Sequence, residues 1–414
     1  MSGILKSLCV RIAGVVFSLG ALFCAESPAK DQIVILVGLD GFRWDYLAKF
    51  TPATLSRLAA GGVRAERMVP SFPSLTFPNF YTIATGLRPE HHGIIGNNMF
   101  DPRTGESFSL GSKAVGDGHW WEGEPIWVTA QKQGMRAACM FWPGSEAEIC
   151  GMRPWQWKPF DHDVSPEARV ATVLGWMALP AAERPRLVTL YFHEADTAGH
   201  HFGPDAPETA AAVEQCDKAI AQLIEGVHKL NLDEVANLVI VSDHGMTEVS
   251  PDRTIVLSDL VKPAGVQVDF SGAVAGLRPP PELVGEVYAA LAAKHDHFQV
   301  YRREEVPKRL HFRDHPRIPP IVLMADEGWT IVKRPLLGVA ARAVFLRATH
   351  GFDPALPSMG ATFIGSGPAF KRGAVIPPFD NVEIYALVCK ILGLNPAAND
   401  GGNRLAEAVL APGR

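Results

Sequence analysis

Three stretches of this 414-residue chain place carboxylates and imidazoles directly after short apolar runs. Ile33 to Leu39 ends at Asp40 in GLDG, and Leu187 to Phe192 runs into HEADTAGH, with Asp196 and His200. Leu238 to Val241 runs into SDHGM, with Asp243 and His244, and a further imidazole, His350, stands in ATHGFD. Asp and neutral His are ligands that zinc accepts. Asp196 and His200 are four residues apart, so one helical turn presents both from one face. Asp243 and His244 are adjacent where a strand ends and the chain turns. One Asp after a strand is ordinarily a loop cap; three such coincidences together with His350 argue for a metal cluster. Three Asp and three His exceed the ligand set of a single zinc and suit two Zn2+ ions. Paired ions ~3.5–4 Å apart clamp the attacking and leaving oxygens of a phosphoryl displacement. The segment TFPNFYTIATG supplies a nucleophile at Thr76, because Pro78 suits the first turn of a helix that begins there. A hydroxyl at a helix start lies beside unpaired backbone N–H groups and the positive dipole end. Without the metal cluster Thr76 would read as a plain N-cap. His91, His92, His119, His162, His193 and His201 lack comparable placement and read as surface or core.

The elements that must hold these residues are legible in the same runs. They are continuous in apolar character rather than alternating, as are Ala137 to Phe141 and Ala361 to Ile364, which suits strands covered on both faces. Helical patterns lie between them at 54–60, 166–179 and 208–230. The alternation predicts an α/β fold, a doubly wound, mostly parallel sheet with helices on both faces. The carboxyl ends of such strands share one edge, which gathers Asp40, Asp196, His200, Asp243 and His244. Residues 255–345, rich in Pro and Arg, read as a less regular, cap-like insertion within a catalytic domain spanning 30–414.

Composition narrows the classes. Hydrophobic types make up 47% and charged types 20%, which excludes a disordered chain. Lys and Arg number 39 against 44 Asp and Glu, a net charge of −5, which excludes a basic nucleic-acid binder; no stable nucleic-acid complex is expected. The 38 Gly and 33 Pro point to many ordered loops. At the N-terminus, Lys6 and Arg11, the apolar run Ile12 to Phe23 and the small residues at Ala25 to Ala29 have the zones of a signal peptide over 1–29. Cleavage after Ala25 or after Ala29 is equally open. The run of about a dozen residues falls short of the ~20 that a membrane span needs, so the mature chain is expected without a span, in the periplasm or secreted. Bulky Phe23 before Cys24 argues against lipidation there. Cys139 and Cys150 could pair in an oxidising compartment or remain two buried thiols.

These pieces resemble the nucleotide pyrophosphatase/phosphodiesterase family of the alkaline phosphatase superfamily. The resemblance runs in order through LDGFRWDYL, FPSLTFPNFYTIATGLRPEHHGIIGNNMFD, WWEGEPIWVTAQKQG, FWPGSEAEI, YFHEADTAGHHFGP, SDHGM, THGFD and MGATFIGSGPAFKRG. It implies one zinc held by Asp196, His200 and His350, and another by Asp40, Thr76, Asp243 and His244. Thr76 would be the nucleophile of a two-step hydrolysis through a phosphothreonine ester. Asn97 would hold a phosphate oxygen beside the threonine backbone N–H. Phe77 and Phe160 match the aromatics that sandwich the base in nucleotide-cleaving members, where Tyr is usual at the second position; both also read as core residues. The Arg that phosphomonoesterases use is missing beside Thr76, as is the sulfatase C/S-x-P-x-R context. The implied substrate is a nucleotide phosphodiester or anhydride, such as ATP cleaved to AMP and diphosphate, and the implied state a monomer. Glycerophosphodiester or lysophospholipid head groups form the alternative substrate class, and a silent nucleotide binder the alternative from outside catalysis. Six of the nine Trp lie between Trp120 and Trp157, either lining a substrate mouth or packing beneath loops.

Overall fold

The computed structural model describes residues 32–261, 265–294, 296–335 and 346–412. The signal peptide expected over 1–29 and residues 262–264, 295 and 336–345 of the expected insertion lie outside that set. The main sheet takes six strands from the first part of the chain: β1 (Ile33–Leu39), β2 (Val63–Ala65), β3 (Ala137–Met140), β4 (Gln156–Lys158), β5 (Leu187–Phe192) and β6 (Ala236–Val241). A separate sheet follows, of β7 (Gln267–Phe270), β8 (Val274–Arg278), β9 (Phe298–Arg302) and β10 (Ile321–Ala325); β11 (Phe363–Ser366) and β12 (Ala374–Ile376) then return to the first. The main order is β12-β2-β11-β6-β1-β5-β3-β4. Only β11 runs against its neighbours. Every residue of β1, β5 and β6 is buried, which is why these runs carry no polar alternation.

Helices cover the sheet in two groups, which makes it doubly wound. One group contains α1 (Ala53–Gly61), α3 (Pro166–Met177), α4 (Glu194–Phe202) and α5 (Pro207–Lys229); the other contains α2 (Thr76–Thr85) and α7 (Glu383–Leu392). The three helices expected from periodicity end within two residues of their predicted bounds. The strand expected over Ala361 to Ile364 is shifted. Ala361 instead bridges Arg43 and Met68, and pairing with β6 starts at Phe363, opposite Val241.

Strands β7 to β10 form an antiparallel sheet in the order β7-β8-β10-β9. Helix α6 (Val284–Ala292) packs on it through Val287 and Leu291, against Ala275, Leu277, Phe298, Val300, Ile321 and Leu323. This stretch is more regular than its Pro content suggests, because Pro279, Pro280, Pro281, Pro307, Pro316, Pro319 and Pro320 fall outside its four strands and α6. Buried Arg317 ties it to the rest of the chain: its guanidinium donates to Asp101 Oδ2 at 2.8 Å and to the carbonyls of Gly93 and Trp120 at 2.9 and 2.6 Å.

Candidate metal centre

Strand register gathers the site. Leu39 pairs with Phe192 and Gly38 with Val241, so β1, β5 and β6 end level. Asp40 is the next residue of β1, and Asp243 and His244 lie just beyond β6. Gly41 turns the chain at φ +63° and donates its N–H to Asp243 Oδ1 at 3.1 Å. A Cβ there would meet the Asp196 Cα at 2.8 Å, so only glycine lets this turn rest against α4. Helix α4 presents Asp196 and His200 from one face. His350 follows a two-residue strand, Ala348–Thr349, that pairs with Thr247–Glu248 just after His244.

The six side chains form two triads, Asp196 with His200 and His350, and Asp40 with Asp243 and His244. His244 and His350 stack at 3.5 Å between ring centres and join them. His200 Nε2 lies 3.4 Å from Asp196 Oδ1 and 3.1 Å from His350 Nε2. His244 Nε2 lies 2.8 Å from Asp243 Oδ2 and 3.4 Å from Asp40 Oδ1. Donor atoms bound tetrahedrally to one zinc stand about 3.3 Å apart, as bonds of 2.0–2.1 Å require. Each His has its Nδ1 beside a backbone carbonyl: Ala348 at 2.8 Å, Ser74 at 2.8 Å and Gly245 at 2.9 Å. The Nδ1–H is donated there, which leaves every Nε2 as a lone pair. His200 and His350 therefore face each other lone pair to lone pair, an arrangement that calls for a cation between them. Asp40 Oδ1, Asp196 Oδ1 and Asp243 Oδ2 are buried without a hydrogen-bond partner. Burial, then the neighbouring carboxylates, raises the Asp40 and Asp243 pKa values well above the usual range. Orphaned oxygens and oriented lone pairs of this kind fit two divalent ions.

Thr76 opens α2, and the N-cap position belongs to Leu75, so the hydroxyl is not spent on capping. Its Oγ1 stands 3.3 Å from His244 Nε2. Asn97 accepts the Phe77 N–H through Oδ1 at 3.0 Å, fixing its amide beside the helix start. A pocket of about 270 Å³ opens over Thr76, Asp40, Asp196, His200 and His350, with Phe77 and Phe160 both in its walls. Phe77 is half-buried against Phe108 and Trp121, while Phe160 is 45% exposed and rests edge-on against Phe141, Tyr191 and His193.

A sequence model described as type I phosphodiesterase/nucleotide pyrophosphatase matches residues 34–353. The chain belongs to this family. Ectonucleotide pyrophosphatase/phosphodiesterase family member 1 of Mus musculus is 39% identical over 391 residues, covering 91% of this chain and 43% of the relative. A venom phosphodiesterase of Naja atra is 37% identical, over 91% of this chain and 47% of its own length. The chain thus spans less than half the length of these relatives. It spans 84% of an uncharacterized pyrophosphatase/phosphodiesterase of Schizosaccharomyces pombe, at 38% identity over 96% of this chain. Murine ectonucleotide pyrophosphatase/phosphodiesterase 5 superposes with a TM-score of 0.87 at 35% identity, over 92% of this chain and all of that one. An inactive threonine-to-alanine variant of that protein, in complex with AMP, superposes equally well at 34% identity.

Within this family frame, the pocket contains residues that motif reading passed over. Tyr191 donates its hydroxyl to Asp40 Oδ2 at 2.5 Å and lines the pocket, though as a strand residue it reads only as core. His162 and His193, read as surface or core, are pocket residues whose rings meet at 4.2 Å, tilted by 40°. The signal for His193 was its place directly after β5, on the strand edge where Asp40 follows β1. Trp142 reaches the pocket, whereas Trp120, Trp121 and Trp127 are buried in the core. Cys139 is buried and Cys150 exposed, both as free thiols, so the chain has neither the pair nor two buried thiols.

Proposed function

We propose that the protein is a zinc-dependent nucleotide pyrophosphatase/phosphodiesterase that releases nucleoside monophosphates through a phosphothreonine at Thr76. The observation that carries this reading is the Thr76 hydroxyl at the start of α2, 3.3 Å from a triad ligand and open to the pocket that both triads share. Asp196, His200 and His350 would hold one ion; Asp40, Asp243 and His244, with Thr76, would hold the other. Bound zinc would supply Lewis acidity and lower the pKa of a hydroxyl or a water. Thr76 Oγ1 attacks phosphorus in line, the leaving oxygen departs on the opposite side, and water cleaves the resulting ester. The amide of Asn97 and the α2 N-terminus offer donors to a phosphate oxygen. Phe77 and Phe160 offer apolar faces to a base. A threonine-to-alanine variant of a structural relative is inactive and was solved in complex with AMP, which supports a threonine nucleophile and a nucleotide substrate.

No helix among the described residues is long and apolar enough to cross a membrane. With the signal-like N-terminus and the venom enzymes among its relatives, this supports a periplasmic or secreted enzyme. The test is turnover by the zinc-replete protein of a nitrophenyl nucleotide ester against nitrophenyl phosphorylcholine, with zinc counted per chain. About two ions and a preference for the nucleotide ester are expected. Faster cleavage of the choline ester would overturn the nucleotide preference, and a protein that takes up no zinc would overturn the mechanism.

A further inference from the structure

Behind the pocket wall sits Arg169, fully buried on α3. Its guanidinium donates to Val164 O at 2.9 Å, Tyr191 O at 3.3 Å and Glu194 Oε1 at 2.9 Å. Its Nη2 also reaches His193 Nδ1 at 3.2 Å. Arginine has only donors to give, so His193 Nδ1 must accept and the imidazole proton must sit on Nε2. That Nε2–H forms no hydrogen bond among the described residues, although His193 is only 7% exposed. The ring lines the pocket, standing at 85° to the Phe160 ring and 5.8 Å from it. Exposed His162 lies against the same imidazole, its ring 4.2 Å away and tilted by 40°. Burial, then the charge of Arg169, lowers the His193 pKa to about 3, so the ring is a neutral donor at any working pH.

We propose that His193 is a specificity-determining residue, whose Nε2–H donates to an acceptor atom on the edge of the nucleobase held at Phe160. A donor that a bound ligand covers without pairing is costly, so a pocket wall carrying one rejects ligands lacking the matching acceptor. The preferred ligand is therefore a flat heteroaromatic group with a ring-nitrogen or carbonyl acceptor, where phenyl or choline groups leave the donor bare. This inference rests on the nucleotide reading of the pocket.

Two substitutions separate the two ring nitrogens. His193→Asn keeps an acceptor near the Nδ1 position for Arg169 but removes the pocket donor. His193→Gln restores a donor near the Nε2 position. The probes are AMP and ribose 5-phosphate, titrated calorimetrically into zinc-loaded protein whose melting temperature has been checked. We expect His193→Asn to weaken AMP about three- to tenfold more than ribose 5-phosphate, and His193→Gln to recover part of that difference. Equal losses for both ligands, or an AMP preference left intact by His193→Asn, overturn the role of His193 alone. Wild-type protein that binds ribose 5-phosphate but shows no gain for AMP overturns the base-binding reading of the pocket and this role with it.

Discussion

At the scale of single residues, the site divides into groups whose chemistry advertises itself and groups that act through others. Thr76 is of the first kind. Its hydroxyl has no capping role, so Thr76→Ala should leave both triads able to hold metal while removing the attacking oxygen. Turnover is expected to fall by about three orders of magnitude or more, with zinc content by elemental analysis unchanged. Activity within a few-fold of wild type would exclude a phosphothreonine route. Phe160 offers a gentler test. Removing a stacking ring costs about 0.5–1.5 kcal/mol, so Phe160→Ala should raise KM for a nucleotide ester roughly three- to tenfold with little change in kcat, measured by steady-state kinetics. Asp and His standing at the ends of apolar runs were legible as candidate metal ligands because zinc restricts residue type. His193 and Tyr191 were not legible as pocket residues, because what sets their hydrogen bonding is a neighbour distant in sequence. Arg169 fixes the proton of one, and Asp40 accepts the hydroxyl proton of the other.

At the scale of elements, continuous apolar runs revealed the parallel strands, and their shared edge followed from topology. What the runs could not reveal is the register that brings three strand ends level, nor how closely the β1 turn approaches α4. Gly41 is where that closeness is decided. Gly41→Ala forces a side chain into a left-handed turn, at roughly 1–2 kcal/mol, and drives its Cβ against the Asp196 backbone. The expected outcome is displacement of α4 relative to Asp40 and Asp243. Misplacement near 1 Å can cost on the order of 100-fold in rate, so activity should fall by more than tenfold with weaker zinc retention on dialysis. A variant with wild-type kinetics would show that the turn can shift freely. The stretch 255–345 teaches the opposite lesson: its prolines suggested irregularity, yet antiparallel pairing tolerates them at strand ends, and β7 to β10 form a sheet with its own core.

At the scale of the whole molecule, a net charge of −5 says little about a site in which three carboxylates converge. The raised pKa values of Asp40 and Asp243, due first to burial and then to the converging carboxylates, show what this site costs the metal-free fold. A carboxyl whose folded pKa exceeds its unfolded value binds its proton more tightly when folded. Between the unfolded value near 3.9 and the raised folded value, the native state therefore holds more protons than the unfolded chain, and stability declines as pH rises through that window. Metal reverses the slope, because zinc binds the deprotonated ligands and competes with those protons. Each ion present at 100 times its Kd adds about 2.7 kcal/mol to the folded state. Thermal melts from pH 5 to pH 8 should accordingly diverge, with the chelated protein losing its site's contribution to stability as pH rises and the zinc-loaded protein keeping it. The gap between the two melting temperatures should widen steadily toward pH 8. A gap independent of pH would mean that zinc displaces no protons over this range, which overturns the picture of protonated Asp40 and Asp243 giving way to metal.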